Sequence, residues 1–379
     1  MDAIMRSELE ELVLLPFKTT EETPSVVPIK SAHISGISYL NIGDAGIELL
    51  SEFEDSGLRV SVPTTMNPGF VELGEEGERT CDVTTYEKQA EIIDLLKRIG
   101  VTPSLSCAPY FEDNPPNPGD HLAWAESSAV LYVNSVIGAW TNKESGIGAL
   151  ASAIVGFTAN VGVHRAEGRI PKLRVRYEGS LENEVEAGAL GYVVGRKAGT
   201  VIHYIEAPGL QEQDRTIEYL AAFGTSGSAP MVWIHGASPR EFDFHGARVE
   251  EALFYKKEIE ETIEELSSED QAEAIIIGCP HVTLNTIKDV AQYNDRLALP
   301  TYLFTSARVK RAVESRAILK RDGKLKVVAD SCVMWCGLRR MGFKTVVTNS
   351  VKAAFYLSHQ MRINARLRSL KEILSGEEI

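Results

Sequence analysis

The sequence lacks any long apolar run, and this absence limits where the protein can be. No stretch reaches the roughly 18 consecutive apolar residues that suggest a membrane-spanning helix. The first ten residues, MDAIMRSELE, lack the basic start and the apolar stretch of a secretory signal peptide. We therefore expect a cytoplasmic protein with no membrane partner.

Basic charge is also scarce. The chain has 39 Lys and Arg residues against 53 Asp and Glu residues, so its formal net charge is −14. Binding to the phosphates of a nucleic acid needs a basic surface, and we therefore expect no nucleic-acid partner. Two common motifs are missing as well, because the chain has no Cys-x-x-Cys pair and no Gly-x-Gly-x-x-Gly after a predicted strand.

From Ile29 onward the chain alternates short β-branched runs with helical patterns. At 379 residues it is long enough for two or three lobes. Continuous β-branched strands followed by helices are typical of parallel sheets covered on both faces, so the predicted fold class is α/β. The predicted strands are 58–62, a strand just before Cys107, 200–205, 231–234, 274–277, 301–304, 325–328 and 345–347. The predicted helices are 84–99, 122–137 and 147–157.

These patterns divide the chain into three parts. Residues 1–28 form a variable N-terminal segment, 29–200 form the first α/β lobe or lobes with the Cys107 loop, and 201–379 form a C-terminal α/β lobe with Cys279 and Cys332. Ligands of parallel α/β sheets bind beyond the carboxyl ends of the strands. Polar loops follow five strands of the C-terminal part, so we expect ligand contacts in these loops.

Residues 103–146 combine a thiol with many carboxylate, hydroxyl and carboxamide groups. Buried polar groups cost free energy unless they are paired, so this density favours a site that contacts a polar ligand. The alternative is a set of helix caps and turns, in which Ser, Asn and Asp are equally common.

Five cysteines in a chain of this length cannot form a disulfide framework. Three of them directly follow predicted strands, namely Cys107, Cys279 and Cys332. Thiolates that converge at strand ends can hold an iron–sulfur cluster or a soft metal, although a free cysteine is also a common small core residue. Cys81 and Cys336 are expected to be non-ligands. His281 and His33 are candidates for acid–base or substrate contacts, with a structural role as the alternative.

Nine ordered motifs between residues 29 and 358 resemble one known family. They are SAHISG (31–36), NIGDAG (41–46), PTTMNP (63–68), SCAPY (106–110), LAWAESSA (122–129), NSVIGA (134–139), GCPH (278–281), DSC (330–332) and NSVKAA (349–354). Together they resemble the catalytic large subunit of the aconitase X family. The NIGDAG and PTTMNP forms are similar to its archaeal branch.

The resemblance implies an aconitase-like, multi-lobed fold and an iron–sulfur-dependent hydro-lyase. It implies that Cys107, Cys279 and Cys332 hold a [4Fe–4S] cluster with one open iron site, which acts as a Lewis acid. The implied reaction converts (R)-5-phosphomevalonate, a phosphorylated hydroxy acid, to trans-anhydromevalonate 5-phosphate in an archaeal mevalonate route. The implied partner is a small swivelling-domain subunit on a separate chain, which closes the site and carries a catalytic serine.

The matching motifs also imply roles for other residues. The implied catalytic residues are Glu126, Ser127 and His281. The implied substrate-binding residues are Asn67, Ser128, Asn134, Ser135, Asn142, Lys143 and Lys352. Of these, the two lysines would meet a carboxylate or phosphate as point charges.

One motif departs from the family pattern. Residues 138–146 read GAWTNKESG where the family usually has GARTNREGG, so Trp140 and Lys143 replace two arginines. The planar, bidentate guanidinium groups are lost with them. This change leaves two alternatives open: a cis-3-hydroxy-L-proline dehydratase, although the motif variants usual for that enzyme are not seen here, and a non-catalytic cluster-binding paralogue.

Overall fold

The computed structural model describes residues 3–18, 24–74, 80–111, 113–246, 248–319 and 323–376. The chain divides into two compact units. The first unit contains the chain up to Gly69, Asp82–Pro171 and Pro230–Val232, and the second contains Phe70–Cys81, Lys172–Ala229 and the chain from Trp233 onward. Among the described residues, no helix is long and apolar enough to cross a membrane.

The first unit contains a small parallel sheet of three strands and a separate antiparallel pair of strands. The strands of the unit are β1 (Val26–Pro28), β2 (Ser31–Ile34), β3 (Thr64–Met66), β4 (Leu122–Trp124) and β5 (Phe157–Ala159). Strands β3, β2 and β4 pair in that order and run parallel, whereas β1 pairs with β5 in antiparallel orientation. The helices are Ala3–Leu14, Tyr39–Asp55, Val83–Ile99, Ser127–Tyr132 and Gly146–Val155, with 3₁₀ turns at Leu15–Phe17, Gly162–His164 and Glu167–Arg169 and a π-helical turn at Val133–Ile137.

The helix Val83–Ile99 confirms the prediction of a helix over 84–99 and shows why it forms. Asp82 caps its start by accepting a hydrogen bond from the Thr85 N–H at 2.9 Å. Gly100 ends it in the left-handed region, with φ of 101°, as expected for a C-terminal glycine.

Three predictions for the first unit are wrong. Residues 58–62 are irregular, and 122–124 form the strand β4 instead of the start of a helix. The segment before Cys107 makes only an isolated bridge between Thr65 and Thr102. The strand that does form, β3, is buried at all three positions but contains two threonines, so an apolar pattern could not reveal it.

The second unit contains two parallel sheets. Its strands are β6 (Leu173–Tyr177), β7 (His203–Glu206), β8 (Trp233–Ile234), β9 (Glu250–Phe254), β10 (Ala274–Ile277), β11 (Thr301–Thr305), β12 (Leu325–Ala329), β13 (Thr345–Thr348) and β14 (Asn364–Leu367). The sheets have the orders β8-β7-β6-β9 and β12-β11-β10-β13-β14. The helices are Glu184–Ala198, Gln213–Ser226, Lys256–Leu266, Leu284–Ala291, Ala307–Ser315, Cys336–Met341, Val351–Tyr356 and Leu370–Ser375, with a π-helical turn at Leu357–Met361.

Strand β10 lies at the centre of the five-stranded sheet, and all of its residues are buried. Ile276 packs with Phe304 in a hydrophobic cluster, whereas Ile275 and Ile277 belong to a second cluster. Alternate side chains therefore enter two cores on opposite faces of the sheet. The predicted class, an α/β fold with parallel sheets covered by helices, is confirmed.

Two helices of the second unit pack unusually closely, because glycine removes a side chain between them. A Cβ atom on Gly191, in the helix Glu184–Ala198, would lie 2.2 Å from the Tyr219 carbonyl oxygen in the helix Gln213–Ser226. The boundary expected near residue 200 falls in the connection between this helix and β7, inside the second unit.

We predict that Gly191→Ala lowers the free energy of unfolding by about 2 kcal/mol, because the new methyl group must displace a backbone carbonyl. Gly188→Ala is the matched control in the same helix. Its Cβ would meet the Val351 side chain at 3.0 Å, and a side chain can move aside. Urea unfolding of both variants measures the difference, and equal stabilities would contradict the close approach.

Candidate active site

The loops after β10 and β12 carry Cys279 and Cys332. These strands flank β11 in a parallel sheet, so both loops lie at the same edge. The His281 Nε2 group lies 3.0 Å from the Ser331 carbonyl oxygen and joins the two loops. Because a carbonyl oxygen can only accept, His281 carries a proton on Nε2.

The surroundings of the Cys332 thiol suit metal-binding sulfur, and backbone contacts hold the Cys279 loop. The Met334 N–H donates to Cys332 Sγ at 3.4 Å, and hydrogen bonds of this kind tune thiolate ligands of iron–sulfur clusters. Gly278 brings the chain into the Cys279 loop with φ of 125°, where a Cβ would lie 2.5 Å from the Phe304 carbonyl oxygen. The Ser350 hydroxyl donates to the Cys279 carbonyl oxygen and fixes the loop from the other side.

Lys352 lies in the first turn of the helix Val351–Tyr356 and is buried. Its positive charge acts on the buried Glu218, whose pKa is raised well above the ordinary value by burial and is lowered in part by Ser350 and Lys352. The contact of Lys352 with a substrate phosphate or carboxylate stays a prediction.

Asp330 lies in the DSC motif, two residues before Cys332, but its position in the sequence indicated no role. Its backbone adopts φ of 63°, which is unusual for a residue other than glycine. Burial raises the pKa of Asp330 to about 6, with a smaller contribution from the negative charge of Glu72. Glu72 is itself paired with Lys310 at 2.6 Å. The second unit thus places a carboxyl group that titrates near neutral pH next to the Cys332 loop.

In the first unit, the Cys107 loop is tied to the end of β3. Ser104 accepts a hydrogen bond from the Met66 N–H at 3.2 Å and donates to the Met66 carbonyl oxygen at 2.9 Å. The Ser106 N–H donates to the same carbonyl at 3.3 Å, and the Ser106 hydroxyl accepts from the Ala108 N–H at 3.2 Å. These bonds hold the segment that carries the buried Cys107 thiol at the end of β3, although no regular strand directly precedes Cys107 in the sequence.

A hydrogen-bond chain of buried and partly buried polar groups links β2 to the Glu126 carboxylate. The His33 ring contacts Thr65 Oγ1 through Nδ1 at 2.8 Å and Asn67 Oδ1 through Nε2 at 2.9 Å. Asn67 Nδ2 donates to Glu126 Oε2 at 2.6 Å. Burial lowers the pKa of His33 to about 4, although the Asn67 hydrogen bond and the Glu126 charge act in the opposite direction. The ring is therefore neutral at physiological pH.

Glu126 also caps the helix Ser127–Tyr132. Its Oε1 atom accepts from the Ser128 hydroxyl at 3.0 Å and from the Ser128 N–H at 3.4 Å. The carboxylate thus accepts bonds on both oxygens, which suits its ionised form. Ser127 is the first residue of the helix and is partly buried.

Three predicted substrate-binding residues make extensive contacts with the protein. Asn134 donates from Nδ2 to the Thr141 and Pro230 carbonyl oxygens at 2.7 and 2.8 Å. Ser135 Oγ accepts from the Val232 N–H at 2.9 Å. Asn142 donates to the Val161 carbonyl oxygen at 3.2 Å and accepts from the Val163 N–H at 3.2 Å. These contacts shape the loops, and direct binding of substrate by these residues stays a prediction.

Trp140 supplies an aromatic face to a buried cation. The Arg169 guanidinium lies 4.5 Å from the centroid of the Trp140 ring. Arg169 also donates to the Asn134 carbonyl oxygen at 2.9 Å and to the Ala139 carbonyl oxygen at 3.1 Å. An aromatic face attracts a cation, whereas an arginine at position 140 would repel one. Lys143, the other changed position of the motif, is partly buried.

Glu144 is a second residue that the sequence analysis did not assign. Burial raises its pKa to about 7, and a hydrogen bond from the Thr158 hydroxyl at 3.1 Å opposes this shift. No motif signals this property, because it arises from packing around the side chain. Glu144 therefore titrates in the physiological range.

The candidate residues are distributed over both units. The first unit holds Asn67, Cys107, Glu126, Ser127, Ser128, Asn134, Ser135, Asn142 and Lys143, and the second holds Cys279, His281, Cys332 and Lys352. Within the described ranges, no three His, Cys, Asp or Glu side chains are grouped as ligands of one metal ion. Binding of a metal or cluster by Cys107, Cys279 and Cys332 therefore stays a prediction.

Parallel sheets with thiols and carboxyl groups in the loops after their strands define a parallel α/β protein with a candidate site at the strand ends. Family models for the first, second and third domains of aconitase X match residues 7–167, 171–264 and 272–377. The chain belongs to the aconitase X family. Relatives of this chain are named as dehydratases, which are hydro-lyases.

Individual relatives agree with this assignment. The phosphomevalonate dehydratase large subunit of Thermococcus kodakarensis is 33% identical over 340 residues, which cover 87% of this chain and 85% of the relative. The cis-3-hydroxy-L-proline dehydratase of Pseudomonas aeruginosa is 30% identical over 91% of this chain and 62% of its own length. The crystal structure of holo aconitase X from Thermococcus kodakaraensis aligns with a TM-score of 0.83 at 32% identity, covering 92% of this chain and 90% of that one.

We predict that Glu144→Gln becomes progressively more stable relative to the natural protein as pH rises from 4.5 to about 7. A pKa raised from 4.5 to about 7 means that the folded state keeps a proton that the unfolded chain has lost, so the natural protein loses stability over this interval. The change should be about 1–3 kcal/mol. Urea unfolding at several pH values measures it, with the exposed Glu167→Gln as control, and a difference independent of pH would contradict the burial.

We also predict that Trp140→Arg destabilises the protein by about 2–4 kcal/mol, because it sets a second guanidinium beside the buried Arg169 and removes the ring. Trp140→Phe retains an aromatic face and should cost clearly less. Thermal and urea unfolding distinguish the two variants. If arginine were tolerated as well as phenylalanine, the contact with Arg169 would not be important for stability.

Proposed function

We propose that this chain is the large subunit of a dehydratase that converts (R)-5-phosphomevalonate to trans-anhydromevalonate 5-phosphate in an archaeal mevalonate route to isoprenoids. The main support is membership of the aconitase X family together with the name of the Thermococcus relative. That name describes a large subunit, so we propose that a small swivelling-domain subunit completes the enzyme.

The reaction is the loss of one water molecule. A proton leaves the carbon next to the carboxylate, the hydroxyl group leaves the following carbon, and a double bond forms between the two carbons. A dehydratase must therefore provide a proton acceptor and must assist departure of the hydroxyl group. The substrate also carries a phosphate and a carboxylate, which require positive groups.

Cys107, Cys279 and Cys332 would hold an iron–sulfur cluster, most consistent with a [4Fe–4S] type. Their thiols fit this cofactor by chemistry, and the Met334 N–H on Cys332 Sγ provides the kind of hydrogen bond that such ligands receive. When bound, a cluster with an open iron site supplies Lewis acidity toward the leaving hydroxyl group.

The side chains of this protein would provide binding and proton transfer. Glu126 is our candidate for the proton acceptor, because its carboxylate is held on both oxygens by Asn67 and Ser128. Lys143 and Lys352 would meet the phosphate or carboxylate as point charges. Ser127 and His281 are further candidates for proton transfer, His281 through its Nδ1 atom.

A second candidate activity is dehydration of cis-3-hydroxy-L-proline, which is supported by the Pseudomonas relative. This substrate has a carboxylate and an ammonium group but no phosphate. The two activities therefore make different demands on the lysines, and direct assays with both substrates separate them.

We predict that the chain, purified without oxygen and combined with its small subunit, contains iron and sulfide and dehydrates phosphomevalonate. Serine at Cys107, Cys279 or Cys332 should remove most of the iron and lower the turnover at least about 100-fold, because each change removes a ligand. Product formation is followed by mass spectrometry, and iron and sulfide are determined chemically.

Cys336→Ser is the matched control, since it removes a thiol only four residues from Cys332 that donates to the Thr80 carbonyl oxygen at 3.5 Å. It should retain its iron. Conversion of hydroxyproline but not phosphomevalonate would establish the second candidate. Iron binding without conversion of either substrate would identify a non-catalytic cluster-binding subunit, and equal iron in all variants would contradict the ligand assignment.

A further inference from the structure

We infer that His33 and Asn67 are positioning residues, which form a hydrogen-bond chain of fixed direction that presents Glu126 as a proton acceptor. This inference rests on the proposed function, because it assigns the transferred proton to Glu126. It changes the expected roles of two residues, since His33 was a candidate for acid–base chemistry and Asn67 for substrate binding.

Asn114 orients the Thr65 end of the hydrogen-bond chain. Its Nδ2 atom lies 3.0 Å from the Ala32 carbonyl oxygen and 3.1 Å from Thr65 Oγ1. The carbonyl can only accept, so the Asn114 amide must point its NH₂ group toward both atoms. Thr65 Oγ1 therefore accepts from Asn114, and its own hydrogen is available for His33 Nδ1.

The other end is fixed by the Glu126 carboxylate. An ionised carboxylate is an acceptor, so the Asn67 amide must direct its NH₂ group toward Glu126 and its oxygen toward His33. His33 Nε2 must then carry the hydrogen. The Glu126 end thus requires, and the Thr65 end permits, the same tautomer, with the proton on Nε2 and a lone pair on Nδ1.

The position of His33 in the middle of the hydrogen-bond chain excludes it as the catalytic base. Its ring is fully buried, and both nitrogen atoms are engaged within the protein. The low pKa of about 4 agrees with a ring that stays neutral during turnover. His33 therefore acts through its neighbours, and the group that can meet a substrate is the partly buried Glu126.

The direction of the chain has a consequence for Glu126. Without the His33 N–H, the Asn67 amide oxygen loses its donor, and the amide can rotate by half a turn. The rotated amide would set its oxygen against the Glu126 carboxylate and lose the 2.6 Å hydrogen bond, so Asn67 holds the carboxylate less firmly once its oxygen has no donor. The position of the carboxylate then becomes less well defined, and proton transfer depends on that position.

The first test observes the tautomer directly. Two-bond ¹H–¹⁵N spectra of the assembled complex with labelled histidine report which ring nitrogen carries hydrogen, and His33→Gln identifies the His33 signals among the eight histidines. We expect a neutral Nε2–H ring from pH 5.5 to 8. A ring with the proton on Nδ1, or one that titrates near 6.5, would overturn the inference.

The second test is kinetic. His33→Leu should lower kcat by about 10- to 100-fold with little change in KM, because Glu126 is misplaced while substrate-binding groups remain. His33→Gln retains an N–H that can reach Asn67 and should recover part of this loss. A parallel change of kcat and KM, or equal losses in both variants, would indicate general damage to the fold and overturn the inference.

His203→Gln is the matched control, because His203 is also fully buried but bonds to Tyr219 in the second unit at 2.8 Å. Once unfolded protein is removed, the kcat of the His203→Gln complex should lie within about threefold of the kcat of the natural complex. A natural complex that shows the expected tautomer but dehydrates neither candidate substrate would refute the proposed function and, with it, the role of Glu126. An active complex with the wrong tautomer would refute only the hydrogen-bond chain.

Discussion

A polar group removed from water must find a partner, and this constraint determines the interior of the first unit. Asn134 and His33 are fully buried, and each is paired with groups from distant parts of the chain. The pairing joins the strand ends to one another, so none of them can shift alone. A site supported in this way is ordered before substrate arrives, which is the condition for catalysis by positioning.

The sequence predicted the second unit better than the first, for a physical reason. Strand β10 consists of four apolar residues between two cores, so hydrophobic burial alone identifies it. Strand β3 is equally buried but contains two threonines, and the Thr65 hydroxyl group finds its partners, His33 and Asn114, in distant parts of the chain. Motifs indicated the three cysteines and Glu126 as candidates. The direction of the hydrogen bonds around His33 depends on Thr65 and Asn67, which lie 32 and 34 positions further along the chain. No local sequence pattern can predict such contacts.

The GAWTNKESG motif illustrates how a departure from a family pattern can be read structurally. In the sequence, Trp140 indicated only the loss of a planar, bidentate guanidinium group. In the folded protein its ring covers the guanidinium of Arg169, which is itself bonded to backbone carbonyls of the same unit. Trp140 therefore contributes to the interior of the unit. Burial also raises the pKa of Glu144 in the same motif, and the residue letters alone do not show this electrostatic property.

The contacts of Asn134 and Ser135 with Pro230 and Val232 also determine when the first unit can be completed. These two partners lie beyond Lys172–Ala229, a long stretch that belongs to the second unit. A ribosome must therefore finish that stretch before the first unit receives its last buried hydrogen bonds. Until then Asn134 and Ser135 lack these partners, so the first unit is completed only after a long part of the second unit has been synthesised.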